Sequence, residues 1–158
     1  MMRAVLTVGG VGHLRPASGT WASALAVALG LGLHALGGFP LLALGFVLAT
    51  GAGFWACRSL AVGEDPAEVV IDEVAGQWLT LCFPSFAFWN MGLETFPYPG
   101  WVAAFLFFRL FDVWKPWVIG RADRRGDAVG VMLDDLLAGV AAGIAVIIAA
   151  GVAHGVLM

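Results

Sequence analysis

The residues of this chain best suited to chemistry are carboxylates, and they fall in three short runs: Asp72 with Glu73, Asp112, and Asp134 with Asp135. Arg109 precedes Asp112 by three residues and Lys115 follows it by three. Five carboxylates brought into one small volume with one or two basic groups repel one another unless a cation intervenes. A hard divalent ion answers this: Mg²⁺ takes oxygen ligands, keeps several waters, and is typically shared between one or two carboxylates and a substrate phosphate. No histidine or cysteine falls within the runs, which argues against zinc. The nearest histidine, His13, stands in a glycine-rich N-terminal loop and reads as a solvated residue. Acidic residues at helix starts also serve the helix dipole, and Arg109 with Asp112 has the spacing of a stabilising pair. Carboxylates carried by three separate helices to one end go beyond that need.

The elements that must position these groups are read from composition and hydropathy. The chain has 158 residues, 61% hydrophobic and 12% charged, with mean hydropathy +0.92; a soluble domain has roughly 45–50% apolar and 25% charged residues. An ordinary soluble protein is thereby excluded, and the length suits one all-helical membrane domain covering residues 1–158. A formal charge of −3 offers no basic field for nucleic acid. Glycine occurs 22 times, which in apolar helices permits close backbone approach. Cys57 and Cys82 lie in apolar runs, match neither a zinc nor a disulfide spacing, and read as reduced core residues. The N-terminus lacks the pattern of a signal peptide, so the membrane segments are expected to remain in the mature protein.

About 20 mostly apolar residues span the hydrocarbon as a helix. Five spans are expected, over residues 20–36, 39–60, 68–88, 97–114 and from 131 into the last residues. Gly37, Gly38, Phe39 and Pro40 between the first two predict a tight reversal and hence a helical hairpin. Short cytoplasmic loops carry the excess of Lys and Arg. With the N-terminus inside, Arg3, Arg15, Arg58, Lys115, Arg121, Arg124 and Arg125 all fall inside, and the opposite loops contain none. The expected topology is therefore five helices, N-inside and C-outside, with every carboxylate run at the cytoplasmic end.

Helical spacing then sorts the side chains. Asp72, Gly76 and Thr80 share one face, as do Asp135, Gly139 and Gly143, and the small-residue face is the one that packs on other helices. Neighbours in sequence diverge by about 100° around the axis. This assigns Asp72 and Asp135 to the interior and Glu73 and Asp134 to supporting positions. The tryptophans and phenylalanines are interfacial or lipid-facing anchors without chemistry.

Four stretches resemble phosphatidylglycerophosphatase A: Gly10-Val11-Gly12 through Gly19-Thr20-Trp21, Val70-Ile71-Asp72-Glu73-Val74-Ala75-Gly76, Phe108-Arg109-Leu110-Phe111-Asp112-Val113-Trp114-Lys115-Pro116-Trp117, and Gly130-Val131-Met132-Leu133-Asp134-Asp135-Leu136-Leu137-Ala138-Gly139. They recur in family order over nearly the whole chain. Departures are confined to the first motif and the loop: Arg15-Pro16-Ala17-Ser18-Gly19-Thr20 stands where the family pattern is P-x-A-P-G-T, and Ala22 stands where glycine is common. The resemblance implies a Mg²⁺-dependent phosphoric monoester hydrolase of the bacterial inner membrane. Its substrate would be phosphatidylglycerophosphate and its products phosphatidylglycerol and inorganic phosphate, a step of phospholipid biosynthesis. On that reading Asp72, Glu73, Asp112, Asp134 and Asp135 hold one or two Mg²⁺ ions that neutralise phosphate charge and activate a water. Lys115 and Arg109 stabilise the phosphoryl oxygens, Arg15 and Thr20 are further phosphate contacts, and Arg121 either binds substrate or anchors the loop at anionic lipid. Direct attack by water and a phospho-enzyme on an aspartate both stay open, as do metal count, acyl preference and oligomeric state.

Three other functions are compatible with an acidic helical membrane protein. A CDP-alcohol phosphatidyltransferase requires a D-G-x-x-A-R motif, which is absent. A small ion or proton transporter would carry its charges near mid-membrane or along a path. A non-enzymatic subunit leaves the inward carboxylates without a use.

Overall fold

A computed structural model describes residues 1–60 and 66–157, and every regular element among them is helical. α1 (Met2–Leu6) leads through a 3₁₀ turn (Val8–His13) into α2 (Ser18–Cys57), followed by α3 (Ile71–Asn90), α4 (Gly100–Trp114), α5 (Val118–Asp123) and α6 (Ala128–Leu157). α2 consists of two arms. Gly37 leaves helical geometry at φ −153°, ψ 18°, and Gly38 adopts φ 64°, ψ −159°, a region essentially closed to residues with a side chain. Pro40 follows in the first turn of the second arm, where a missing N–H has no intrahelical partner to lose. The arms fold back on each other, since a Cβ on Gly45 would lie 3.0 Å from the Leu33 side chain. Both ends of α2 return to the start of α3: Ser18 Oγ donates to the Ala67 carbonyl at 2.5 Å, and Ala56 and Cys57 cluster with Ile71. The hairpin expected from the glycine pair is therefore present.

α3 packs against both α2 and α6, and α4 lies mainly against α6. Trp78 on α3 donates its indole N–H to the Ala26 carbonyl on the first arm of α2 at 2.8 Å. Toward the far end, buried His34 hydrogen-bonds Ser85 at 2.7 Å and the Leu93 carbonyl at 3.1 Å, tying α2, α3 and the following loop together. Outward faces are apolar: Leu29, Leu44 and Leu48 on α2, Leu106 and Leu110 on α4, and Ile144 and Ile148 on α6 are all exposed. α2 and α6 are long and apolar enough to cross a membrane, and only 11% and 28% of their most apolar windows are buried within the protein. A helix at the core of a soluble protein would instead be mostly buried.

Helices cover the five expected segments, namely the two arms of α2, α3, α4 beginning at Gly100 and α6 beginning at Ala128; Met158, the end of the last expected segment, lies outside the described residues. Three short elements have no counterpart in the sequence reading. α1 and the 3₁₀ turn bury Leu6 and place its carbonyl 2.8 Å from the Val70 N–H. α5 lies inside what reads as a polar loop, yet Ile119, Gly120 and Ala122 are buried where it packs on α6. Cys57 and Cys82 are both buried, as core residues should be. His13 is exposed, with Nδ1 3.2 Å from Glu68 Oε2.

Candidate active site

The site is assembled by one helix crossing. A Cβ on Gly139 of α6 would lie 2.5 Å from the Gly76 carbonyl oxygen of α3, and one on Gly76 would lie 2.6 Å from the Asp135 carbonyl oxygen. Only hydrogen at both positions allows the backbones to come this close. Thr80 Oγ1 donates to the Gly76 carbonyl at 3.0 Å and approaches the Gly139 carbonyl at 3.2 Å, bridging the two helices. Asp72 and Asp135 each stand one turn before the crossing glycine of their own helix, so the contact brings their carboxylates together. The faces expected from the four-residue spacing are the faces that meet.

One oxygen from each of Asp72, Glu73 and Asp135 lies within 4.8 Å of the others. Asp72 and Asp135 are buried, and Glu73 is partly so. Glu73 Oε2 is shut away from solvent with no hydrogen-bond partner, and an unpartnered buried carboxylate oxygen is costly. Three acidic groups of all-oxygen chemistry, one with an orphaned lone pair, form a donor set that fits a hard divalent cation. The two adjacent pairs are placed differently. Asp134 turns from the cluster to accept from Lys115 Nζ at 2.7 Å, whereas Glu73 stays beside Asp72. The two sit in the first turn of α3, where Asp72 Oδ1 accepts from the Glu73 N–H at 3.1 Å, and the extra methylene of glutamate offsets the turn of the helix.

Above the cluster opens a cavity of about 650 Å³, lined by the three acids together with Asp112, Asp134, Asp123, Arg15, Arg109 and Lys115. Arg109 Nη1 pairs with Asp112 Oδ2. Lys115 closes α4 in a left-handed conformation at φ 47°, ψ 53°, and its ammonium pairs with both Asp123 Oδ1 and Asp134 Oδ2. Burial opposes its charge, but the hydrogen bonds to Asp123 and Asp134 outweigh that and hold its pKa above the ordinary lysine value. Gly19, at the start of α2, is pressed onto the site: a Cβ there would lie 2.2 Å from Glu73 Oε1 and 3.2 Å from Arg109 Nη1. The neighbouring Ser18 hydroxyl is the group that holds the Ala67 wall of the cavity.

Most of the residues singled out in the sequence thus share one cavity: Asp72, Glu73, Asp112, Asp134, Asp135, Lys115, Arg109 and Arg15. Thr20 and Arg121 are exposed and do not line it. Thr20 follows Gly19 by one residue and so turns about 100° away around α2, while Arg121 is carried on the outer side of α5. Asp123 was missed because nothing in the sequence marked α5 as a helix folded over the site. Gly19 was visible only as part of its motif. Gly139 and Gly143, whose spacing would also permit a helix dimer, are used within the chain against Gly76 and Phe83, while Gly151 and Gly155 face open space.

This arrangement offers Arg109, Lys115 and Arg15 as donors to an anionic group beside three clustered carboxylates, at the end of an apolar helical bundle. Among known proteins, the chain is 41% identical over 97 residues to a Bacteroides thetaiotaomicron protein named "Putative phosphatidylinositol-3-phosphatase", covering 60% of this chain and 56% of that protein. It is 39% identical over 93 residues to phosphatidylglycerophosphatase A of Escherichia coli, covering 56% and 48%. It is 32% identical over 143 residues to phosphatidylglycerophosphatase A of Haemophilus influenzae, covering 86% and 81%. The matched part spans about half the length of the first two relatives. No solved structure matches. The sequence pattern of phosphatidylglycerophosphatase A matches residues 4–150, and the chain belongs to that family.

Proposed function

We propose that this chain is an integral membrane lipid phosphatase that hydrolyses phosphatidylglycerophosphate to phosphatidylglycerol and inorganic phosphate, with Mg²⁺ as cofactor. The observation that carries the reading is the convergence of Asp72, Glu73 and Asp135 within 4.8 Å, in a cavity also lined by Arg109 and Lys115. A phosphomonoester on a lipid headgroup sits at a membrane surface, where such a cavity at the end of a bundle can meet it while the acyl chains remain in the bilayer. A divalent ion at these three carboxylates would neutralise phosphate charge and make a water more nucleophilic. Arg109 and Lys115 offer N–H donors to phosphoryl oxygens. Asp112 and Asp134, each paired with one of those cations, hold the donors in place. Family membership, and the names of the two phosphatidylglycerophosphatase relatives, favour the glycerophosphate headgroup.

The same proposal includes five membrane crossings, the N-terminus and the cavity facing the cytoplasm of a bacterium, and the C-terminus outside. It is supported by the position of Arg15, Arg58 and Lys115 at the cavity end of the helices and by the absence of Lys and Arg from residues 90–98 at the other end. A transporter would need its ionisable groups distributed along a path, whereas the carboxylates that line this cavity gather at one end.

The Bacteroides relative's name makes phosphatidylinositol 3-phosphate a second substrate to test. The experiment is phosphate release from each lipid in detergent micelles, with Mg²⁺ or with chelator, by the native chain and Asp135→Asn. The expected result is Mg²⁺-dependent release, faster from phosphatidylglycerophosphate, that collapses in a folded Asp135→Asn. Faster release from the inositol lipid would move the substrate assignment. No release from either by a folded sample would remove the phosphatase reading and bring the transporter forward.

A further inference from the structure

A phosphate monoester entering the cavity meets six carboxylates and three basic groups. Two of those basic groups are already engaged, Arg109 with Asp112, and Lys115 with both Asp123 and Asp134. A carboxylate left against an arriving dianion repels it, so the contact between the phosphate and Lys115 is strongest where one carboxylate withdraws. The two partners of Lys115 differ in their freedom to do so. The Asp134 side chain is 8% exposed, stands on the 30-residue α6, and has its other oxygen buried. The Asp123 side chain is 38% exposed and belongs to the last residue of the six-residue α5. Water can take over the hydrogen bond that Asp123 gives up, whereas Asp134 would be left buried and unpaired.

We propose that Asp123 is a displaceable counterion. The phosphate of the substrate takes its place on Lys115 Nζ while Asp134 keeps the ammonium aimed into the cavity, and the return of Asp123 helps expel inorganic phosphate. The inference rests on the phosphatase reading of the cavity for the chemistry of its ligand. Asp123 here acts as a positioning residue, since it touches Lys115 and not the substrate.

The test uses the full chain in detergent with Mg²⁺ present: native, Asp123→Asn and Asp123→Glu, with Asp123→Ser replacing the Asn variant should that one not fold. Inorganic phosphate binding is measured by calorimetry, and KM and kcat are measured with phosphatidylglycerophosphate. Removing a partly exposed ion pair is expected to tighten phosphate binding roughly two- to fivefold, to lower KM in the same direction, and to leave Asp123→Glu close to native. Phosphate binding that is unchanged or weaker in Asp123→Asn overturns the proposal, as does a fall in kcat without tighter phosphate binding, the signature of a merely structural contact. A native chain that binds phosphate but releases none from any lipid sinks the enzymatic reading instead. A native chain that hydrolyses lipid while its Asn variant binds phosphate no tighter sinks only the counterion.

Discussion

Gly76 and Gly139 meet backbone to backbone, with the position of a Cβ on Gly139 only 2.5 Å from the Gly76 carbonyl oxygen, and this contact sets the distance between Asp72 and Asp135. The carboxylates stand one turn from the crossing on their respective helices, so the geometry of the acidic cluster is a consequence of two missing side chains.

Gly139→Ala should therefore separate α3 from α6. The clash is with backbone, which no side-chain rotation relieves, and overpacking of this kind costs about 1–3 kcal/mol. Alanine recovers up to about 1 kcal/mol of helix propensity over glycine, so the expected net effect is a loss of stability. Thermal unfolding in detergent should show it, with a fall in phosphate release per folded molecule.

Mg²⁺ binding should register without any turnover. A ligand that binds only the folded state adds about 2.7 kcal/mol at roughly 100 times its dissociation constant. Native protein should melt at higher temperature with Mg²⁺, and Asp72→Asn should lose most of that increment. Equal Mg²⁺ stabilisation of both proteins would remove Asp72 from the ion's ligands.

Asp127 precedes α6 and caps it, accepting from the Gly130 N–H at 2.7 Å while pairing with Arg125 at 3.0 Å. The Arg125 hydrogen bond, then the Gly130 N–H, hold its carboxyl below the ordinary aspartate value of 3.8. A lowered folded-state value means that this contribution is complete above 3.8 and is lost as pH falls through the lower folded value. Asp127→Asn keeps a capping oxygen and should lose stability less steeply than native protein between pH 5 and pH 2, as read by thermal unfolding across that interval.

His34 stabilises the end of the bundle away from the site. It is buried, and its buried partner Ser85 would be left without this hydrogen bond in His34→Ala, a loss of about 1–3 kcal/mol. Ser85 lies about 20 Å along α3 from Asp72 at 1.5 Å per residue. The variant should melt earlier while its kcat per folded molecule stays near native.

Much of this protein was legible in the order of its residues. Apolar runs broken by Gly37–Gly38 and by the polar loops mark the long helices, because hydropathy and backbone freedom are local properties. The four-residue spacing of Asp72 with Gly76 and of Asp135 with Gly139 marks the faces that meet, because helical periodicity follows from a single repeating geometry. Those features, with the four motifs, already direct the acidic runs of three helices toward one site.

Other features required the tertiary structure. α5 is six residues long and weakly periodic, so only its burial against α6 makes it a helix and brings Asp123 to Lys115. Glu73 remains with Asp72 because a side chain one methylene longer, in a first helical turn, can reach across the angle that separates adjacent residues. Thr20 is left outside the cavity because Gly19, its neighbour, is the residue pressed onto Glu73 and Arg109. Sequence specifies which groups occur and at what helical spacing; which of them share one cavity depends on contacts between residues distant in the chain, and no local pattern encodes those distances.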